Sequence, residues 1–199
     1  PHIVAGIDVG EFDGLFYFAM EFIDGPTLEE CLKIEGWLAE EKALEVARQI
    51  ALALDHAHAH GFLHRDVKPD NILLDRSGQA KLADLGLVRI HGREKPSISA
   101  RQVGAGLADE SSFTRKGRVV GTPNYISPEQ AQGKPGLTAA ADLYSLGATL
   151  FELLTGKVPY QGSSAREVMK KHLQAPVPNP RDLQPDVSEA AARLCMKLL

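Results

Sequence analysis

Cysteine is scarce in this sequence of 199 residues, which contains only two. Cys31 and Cys195 lie far apart, and each falls within an apolar, helix-like pattern. This placement favours buried free thiols in a reducing cytoplasm over a disulfide bond. The sequence therefore predicts a cytoplasmic domain without a covalent cross-link.

Long apolar runs and an excess of basic residues are also missing. No stretch approaches the roughly 18 apolar residues that a membrane helix needs, and the first residues show no signal-peptide pattern. We therefore expect no membrane segment within these residues, while an anchor outside them is left open. A net charge of -4, with no basic stripe interleaved with aromatic residues, argues against a nucleic-acid partner. The 44% of apolar residues suffices for one sizeable core.

Hydrophobic periodicity and turn residues divide the chain into short strands and longer helices. The predicted strands cover residues 5–9, 15–23, 72–74 and 81–83. Asp13-Gly14 predicts a tight turn between the first two. The predicted helices, with their caps, cover residues 27–34, 40–60, 138–154 and 164–174, and a last one begins in the capping sequence 186–189. Gly61 and Gly156 are stop signals for two of these helices.

Three histidines alternate near the end of the second helix, at His56, His58 and His60. Residues two apart point to different faces of a helix, so only His56 and His60 share one. We expect packing and surface roles for these histidines rather than a metal site.

A dense group of polar residues occupies the stretch His64-Arg65-Asp66-Val67-Lys68-Pro69-Asp70-Asn71, directly before an apolar, strand-like run. It places an acid at Asp66, a cation at Lys68 and an amide at Asn71 within six residues. Such a loop could handle a proton, an anion and a metal ion together. Three further motifs follow in order: Asp84-Leu85-Gly86, then Gly121-Thr122-Pro123-Asn124-Tyr125-Ile126-Ser127-Pro128-Glu129, then Asp142-Leu143-Tyr144-Ser145-Leu146-Gly147.

This ordered set resembles the signature of eukaryotic-type serine/threonine protein kinases, most of all their bacterial members. The resemblance implies a partial, α+β, protein-kinase-like fold. Residues 1–25 would supply two strands of the small lobe and the hinge, and residues 26–199 a mainly helical large lobe truncated at its C-terminus. It implies transfer of the γ-phosphoryl group of ATP to Ser or Thr hydroxyls of a protein, with Mg²⁺ or alternatively Mn²⁺ as the metal ion.

The resemblance also gives the polar residues their roles. Asp66 would orient the substrate hydroxyl and take its proton, and Lys68 would steady the transferring phosphoryl group. Asn71 and Asp84 would hold the metal ion, so that Lys68, Asn71 and Asp84 all belong to the ATP site. Thr122 would contact Asp66 and Lys68, and the combination of Thr122 with Lys68 is typical of Ser/Thr kinases rather than Tyr kinases.

The adenine site is expected at the hinge. Backbone groups from Glu21 to Ile23 would hydrogen-bond the adenine edge, Met20 would take the gatekeeper position, and Leu73 would pack beneath the ring. Taken without the later motifs, the same residues describe an ordinary strand that ends in a turn.

Residues 91–116 lack helical and strand periodicity, as expected for an activation loop that is longer than usual. In related kinases, the positions of Arg65 and Arg89 form a basic pocket that a loop phosphate neutralises. The predicted sites of self-phosphorylation are Thr114, then Ser112 and Ser111. The alternative is a merely solvated loop that carries Ser and Thr.

Two acids are expected to support the catalytic loop and its surroundings. By resemblance, Asp142 reaches back to the backbone of His64 and Arg65. Glu129 would pair with a buried arginine that is expected beyond Leu199.

The sequence departs from the family pattern at Leu85, where Phe is commoner, and at Ser127, where Ala is commoner. We expect both changes to preserve activity. The 199 residues also contain neither the Gly-rich loop nor the small-lobe Lys that grips ATP, so this polypeptide alone is expected to be inactive. The alternative function is a pseudokinase or kinase-fold scaffold, and a small-molecule kinase is disfavoured by the segment around Thr122.

Overall fold

The computed structural model describes residues 1–84 and 123–199. It begins with an antiparallel hairpin of β1 (Gly6–Phe12) and β2 (Leu15–Met20). Asp13 and Gly14 both have positive φ, at 52° and 75°, as a type I′ turn requires. The predicted hairpin is thus confirmed, but β1 reaches Phe12 and β2 ends at Met20 rather than at residue 23.

A second hairpin joins β3 (Ile72–Leu74) to β4 (Ala80–Leu82). β4 begins one residue earlier than predicted, because the Asp75 N–H bonds the Gln79 carbonyl and closes the loop there. The first residues of the chain lie beside β4, where Val4 N–H donates to the Leu82 carbonyl at 2.9 Å. The hairpin thereby brings the start of the chain next to the residues that follow the catalytic loop.

The helices begin and end mostly where the sequence predicts. The first two are α1 (Leu28–Glu35), which starts with the predicted capping box at Thr27, and α2 (Glu40–Ala59). After a four-residue helix α3 (Pro128–Ala131) come α4 (Ala139–Thr155), α5 (Ala165–Gln174) and α6 (Glu189–Leu198). Thr155 is followed by Gly156 in the left-handed conformation, which confirms that stop signal.

Two details of the helices go beyond the prediction. Within the predicted capping sequence 186–189, the residue that caps the last helix is Ser188, whose hydroxyl accepts from the Ala191 N–H. Helix α3 was not predicted, because four residues are too few to show helical periodicity. It begins with a capping box between Ser127 and Gln130.

The core lies between α2, α4 and α6, and its largest fully buried side chains include Leu54, Leu150 and Phe151. Both cysteines are buried and free, as predicted. No helix in the described residues is long and apolar enough to cross a membrane.

Candidate active site

The loop that contains Asp66 is tied to α4 through its backbone. Asp142, which is fully buried, accepts the His64 N–H at 2.9 Å through Oδ2 and the Arg65 N–H at 2.6 Å through Oδ1. The contact that the resemblance implied between Asp142 and the backbone of His64 and Arg65 is therefore present. Because the carboxylate holds two successive N–H groups, it fixes the direction in which the chain enters the catalytic loop.

His58 completes this anchor, and the sequence analysis missed it. Its Nε2 atom lies 2.8 Å from Oδ2 of Asp142, 84 residues away in the sequence. We expected only packing and surface roles for the alternating histidines, and for His58 that expectation was wrong. No short-range pattern announces the contact, since the partner comes from another helix.

The backbone at Arg65 is strained and held from both sides. Its φ of 68° lies in the left-handed region, which costs a non-glycine residue about 1–3 kcal/mol. Asp142 accepts its N–H, and Gln130 Nε2 donates to its carbonyl at 2.9 Å. The surrounding contacts thus stabilise a conformation that turns the next residue, Asp66, out of the core.

His64 connects the catalytic loop to the end of β4. It is fully buried, with Nε2 2.7 Å from the Ala83 carbonyl and Nδ1 3.3 Å from the Asp66 N–H. Both contacts are satisfied by the tautomer that carries its proton on Nε2. The ring therefore couples the position of Asp66 to that of Asp84, the residue after Ala83.

Asp66, Lys68 and Asn71 form one hydrogen-bonded group. Lys68 Nζ lies 2.7 Å from Asp66 Oδ2, and Asn71 Nδ2 donates to the same oxygen at 3.0 Å. Asn71 Nδ2 also donates to the Asp66 carbonyl at 2.8 Å. The acid, the cation and the amide that the sequence placed within six residues are thus brought together by side-chain contacts.

The oxygens of Asn71 and Asp84 suit a hard divalent cation. Asn71 uses Nδ2 as a donor, so its Oδ1 is left for a cation. The N–H of Ala83 donates to the Asn71 carbonyl at 2.8 Å, and the next residue, Asp84, is exposed. Within residues 1–84 and 123–199, no cluster of three or more acidic, His or Cys side chains could hold a metal by itself. Two protein oxygens fit an ion such as Mg²⁺, which takes its other ligands from phosphates and water.

An apolar cavity of about 260 Å³ lies at the junction of the two hairpins. Its lining residues are Val4, Met20, Glu21, Phe22, Ile23 and Leu73. All of them except Val4 belong to the predicted adenine site, with Phe22 inside its hinge range 21–23. Among the described residues, the Glu21 carbonyl and the Ile23 N–H have no hydrogen-bond partner, which leaves one acceptor and one donor for a planar base.

Glu21 also fastens the hinge through its side chain, a role that the sequence analysis missed. Lys81 Nζ lies 2.8 Å and 2.9 Å from its two carboxylate oxygens, and the Ala5 N–H donates to Oε1 at 2.9 Å. These partners, Lys81 first, hold the pKa of the Glu21 carboxyl below its usual value. Lys81 pairs with Leu73 across the second hairpin, so the ion pair lies beside the cavity.

The middle of the motif at residues 121–129 is anchored on α4. Ser145 Oγ donates to the Tyr125 carbonyl at 2.7 Å, and the Tyr125 hydroxyl donates to Glu152 Oε2 at 2.5 Å. Burial raises the pKa of both the Tyr125 phenol and the Glu152 carboxyl. Several other predicted residues lie outside the described ranges: Leu85, Gly86, Arg89, Ser111, Ser112, Thr114 and Thr122.

These features together define a class of protein. An acid–lysine–amide loop, two oxygens that suit a divalent cation, and an apolar cavity with one donor and one acceptor suit the transfer of a phosphoryl group from a nucleotide. The sequence profile described as "Protein kinase domain" matches residues 1–199. The chain belongs to the protein kinase domain family.

Two of its relatives are named as serine/threonine-protein kinases. The chain is 38% identical over 198 residues to the serine/threonine-protein kinase PrkC of Bacillus subtilis, which covers 99% of the chain and 28% of the relative. It is 41% identical over 185 residues to the serine/threonine-protein kinase PknD of Mycobacterium tuberculosis, covering 93% of the chain and 25% of the relative. The chain thus spans about a quarter of the length of these relatives.

Proposed function

We propose that the protein carrying this chain transfers the γ-phosphoryl group of ATP to Ser or Thr hydroxyls of other proteins. The observation that carries the proposal is the hydrogen-bonded group of Asp66, Lys68 and Asn71, held in place by the buried carboxylate of Asp142. Two relatives named as serine/threonine-protein kinases support it.

Asp66 is the group that receives the proton. Its side chain is about a third exposed, so a substrate hydroxyl can approach the carboxylate from solvent. Lys68 and Asn71 both contact Oδ2, and they hold the carboxylate in one orientation. Phosphoryl transfer asks little covalent chemistry of a protein, so this orientation and the Lys68 charge are its main contributions.

ATP is proposed to bind with its adenine in the cavity between Met20 and Leu73, where the Glu21 carbonyl and the Ile23 N–H meet its edge. Asn71 and Asp84 are the proposed ligands of the metal ion. When bound, Mg²⁺ or Mn²⁺ would neutralise charge on the phosphate oxygens.

Further residues and features are assigned by proposal as well. Thr122 is proposed to contact Asp66 and Lys68, and Thr114, Ser112 and Ser111 are proposed to be self-phosphorylated. The division into residues 1–25 and 26–199 is proposed on the resemblance, and a cytoplasmic location is proposed on the two buried free cysteines. A scaffold would not need the side chains of Asp66, Lys68, Asn71 and Asp84, so their retention supports an enzyme.

The test is transfer of labelled γ-phosphate by the longest natural polypeptide that carries these residues. Peptides that differ only in the acceptor, Ser, Thr, Tyr or Ala, are supplied with ATP and Mg²⁺. We expect labelling of the Ser and Thr peptides and none of the Ala peptide. A folded protein that labels only the Tyr peptide, or none of them, would contradict the proposal.

A further inference from the structure

One glutamine side chain joins two parts of the site that are far apart in the sequence. Gln130 lies on α3, and its Nε2 atom donates to the Arg65 carbonyl at 2.9 Å, across 65 residues of sequence. Its Oε1 atom accepts from the Ser127 N–H at 3.1 Å, which is one half of the capping box that starts the helix. A single amide therefore caps its own helix and links that helix to the catalytic loop.

The two partners of the amide determine which way it points. The Arg65 carbonyl can only accept a hydrogen bond and the Ser127 N–H can only donate one, so the first requires the NH2 group and the second the oxygen. The flipped amide would set oxygen against oxygen and N–H against N–H. Ser127 is fully buried, and its hydroxyl accepts from the backbone N–H of Gln130 at 3.3 Å. The side chain is thus held at both ends, with its NH2 group toward the catalytic loop.

The bond from Gln130 holds the peptide group that leads into Asp66. The Arg65 carbonyl and the Asp66 N–H belong to the same peptide group, and that N–H lies 3.3 Å from His64 Nδ1. The contact with Gln130 is the shorter of the two and fastens the opposite edge of the peptide plane. The direction in which the Asp66 side chain leaves the backbone therefore depends on the Gln130 amide.

The other anchors of the loop act on different atoms. Asp142 accepts from the two N–H groups that precede this peptide. Lys68 and Asn71 contact the carboxylate of Asp66, and Asn71 also donates to the Asp66 carbonyl. None of these contacts involves the Arg65 carbonyl. Gln130 therefore adds a constraint that these three side chains do not supply.

We propose that Gln130 is a positioning residue for phosphoryl transfer, which orients the peptide between Arg65 and Asp66 so that the Asp66 carboxylate meets the substrate hydroxyl. The inference rests on the proposed function, because that function makes Asp66 the group that receives the proton. Misplacing a reacting group by about 1 Å can cost about 10²-fold in rate. Loss of the Gln130 contact should therefore lower kcat. It should leave ATP affinity unchanged, since other elements form the proposed adenine site.

Gln130→Glu removes this contact and keeps the cap. A glutamate side chain has the same length, and its carboxylate still accepts from the Ser127 N–H, as in the usual capping box. It has no N–H to donate to the Arg65 carbonyl. We expect kcat for a Ser peptide to fall about 10- to 100-fold, while KM for the peptide and Kd for ATP stay within about threefold.

The measurement uses the longest natural polypeptide that carries this chain. Steady-state kinetics with varied peptide give kcat and KM, and calorimetric titration gives Kd for ATP. Gln132→Glu is the matched control, because it makes the same change at an exposed position at the end of α3. It should leave kcat unchanged, and it measures any effect of the added negative charge.

A double variant separates positioning from general damage to the fold. If Gln130 acts through the Asp66 carboxylate, Gln130→Glu should slow the Asp66→Asn variant by less than about twofold. An effect on folding, or on another step of the reaction, would instead lower the rate of the Asp66→Asn variant by the full factor seen in the wild-type background.

A selective fall in kcat for Gln130→Glu that disappears in the Asp66→Asn background supports the proposal. An unchanged kcat, an equal loss of ATP affinity, or a full further loss in the double variant would overturn it while leaving the kinase function in place. An inactive wild type would overturn the proposed function, and the inference with it. If Gln130→Glu fails to fold, the uncharged Gln130→Met takes its place, and an unchanged kcat in that variant contradicts the inference.

Discussion

At the residue scale, the site depends on one buried acid that touches no substrate. Asp142 accepts from the His64 and Arg65 N–H groups and contacts His58. The carboxylate contacts these three partners through two oxygens, and hydrogen bonds to an ionised acceptor are charge-assisted. The strained φ of 68° at Arg65 is retained because this acid stabilises it.

Replacing this acid should weaken both folding and catalysis. In Asp142→Asn the amide nitrogen must face a donor, so we expect a loss of about 2–4 kcal/mol in the free energy of unfolding. Urea denaturation followed by circular dichroism measures this loss. Asp186→Asn, at an exposed acid, is the control and should change stability by less than about 0.5 kcal/mol. Equal stabilities of the two variants would show that Asp142 is not an anchor.

The sequence predicted the residues of this site that belong to local motifs. Asp66, Lys68 and Asn71 are within six residues, and a resemblance to kinases supplied Asp142. His58 and the Lys81–Glu21 ion pair were missed, since each joins side chains at least 60 residues apart and neither has a local pattern. Contacts of this kind depend on how the helices and hairpins pack.

At the element scale, the close approach of α4 and α6 determines how the core is packed. Gly147 faces the end of α6, where an added Cβ would lie 2.6 Å from Cβ of Leu198. The helix-like periodicity of residues 138–154 predicted α4 itself. It did not reveal that Gly147 is at a helix contact, because a glycine has no side chain to contribute to the pattern.

Gly147→Ala separates helix propensity from packing. Helix propensity alone would stabilise α4 by about 1 kcal/mol. The clash of the new methyl group with Leu198 should cost about 1–3 kcal/mol, and we expect this cost to exceed the gain. We therefore expect a lower midpoint of urea denaturation. Ala140→Gly, at an exposed position in the first turn of α4, changes helix propensity without the contact to α6 and should destabilise by less than about 1 kcal/mol. A more stable Gly147→Ala variant would show that α6 can move away freely.

At the scale of the whole molecule, the order of elements was predictable and their junctions were not. The residues Asp13-Gly14 directly predict the turn between β1 and β2, and the capping box at Thr27 directly predicts the start of α1. The predicted capping sequence 186–189 holds two residues that could cap α6, Asp186 and Ser188, and the structure uses Ser188.

The buried ring of His172 makes the stability of the molecule depend on pH. Its pKa is lowered to about 4 from an ordinary value near 6.5, so the unfolded chain binds a proton before the folded one does. Its contribution is therefore fully present above about pH 6.5 and is lost as pH falls toward 4. The groups that face the ring are the Tyr144 and Tyr160 phenols, which stay neutral throughout this range because burial raises their pKa.

We expect the free energy of unfolding to fall by up to about 3 kcal/mol between pH 6.5 and pH 4 through this group. His172→Gln should flatten that dependence, as measured by urea denaturation at half-unit steps of pH. The acids with pKa values lowered to about 2, Glu45 and Glu167, lose their contribution only below about pH 4.5. If the free energy of unfolding changes with pH equally in wild type and His172→Gln above pH 4.5, His172 is not the group responsible.

The central claim is that Asp66 takes part in phosphoryl transfer to a Ser or Thr hydroxyl. It is tested most directly by the single-turnover rate of γ-phosphate transfer in Asp66→Asn, with Asp55→Asn at an exposed acid of α2 as the control. The account predicts that Asp66→Asn lowers the rate roughly 10²- to 10⁴-fold while ATP affinity stays within a few-fold. Equal rates for the two variants, in folded protein that binds ATP, would contradict it.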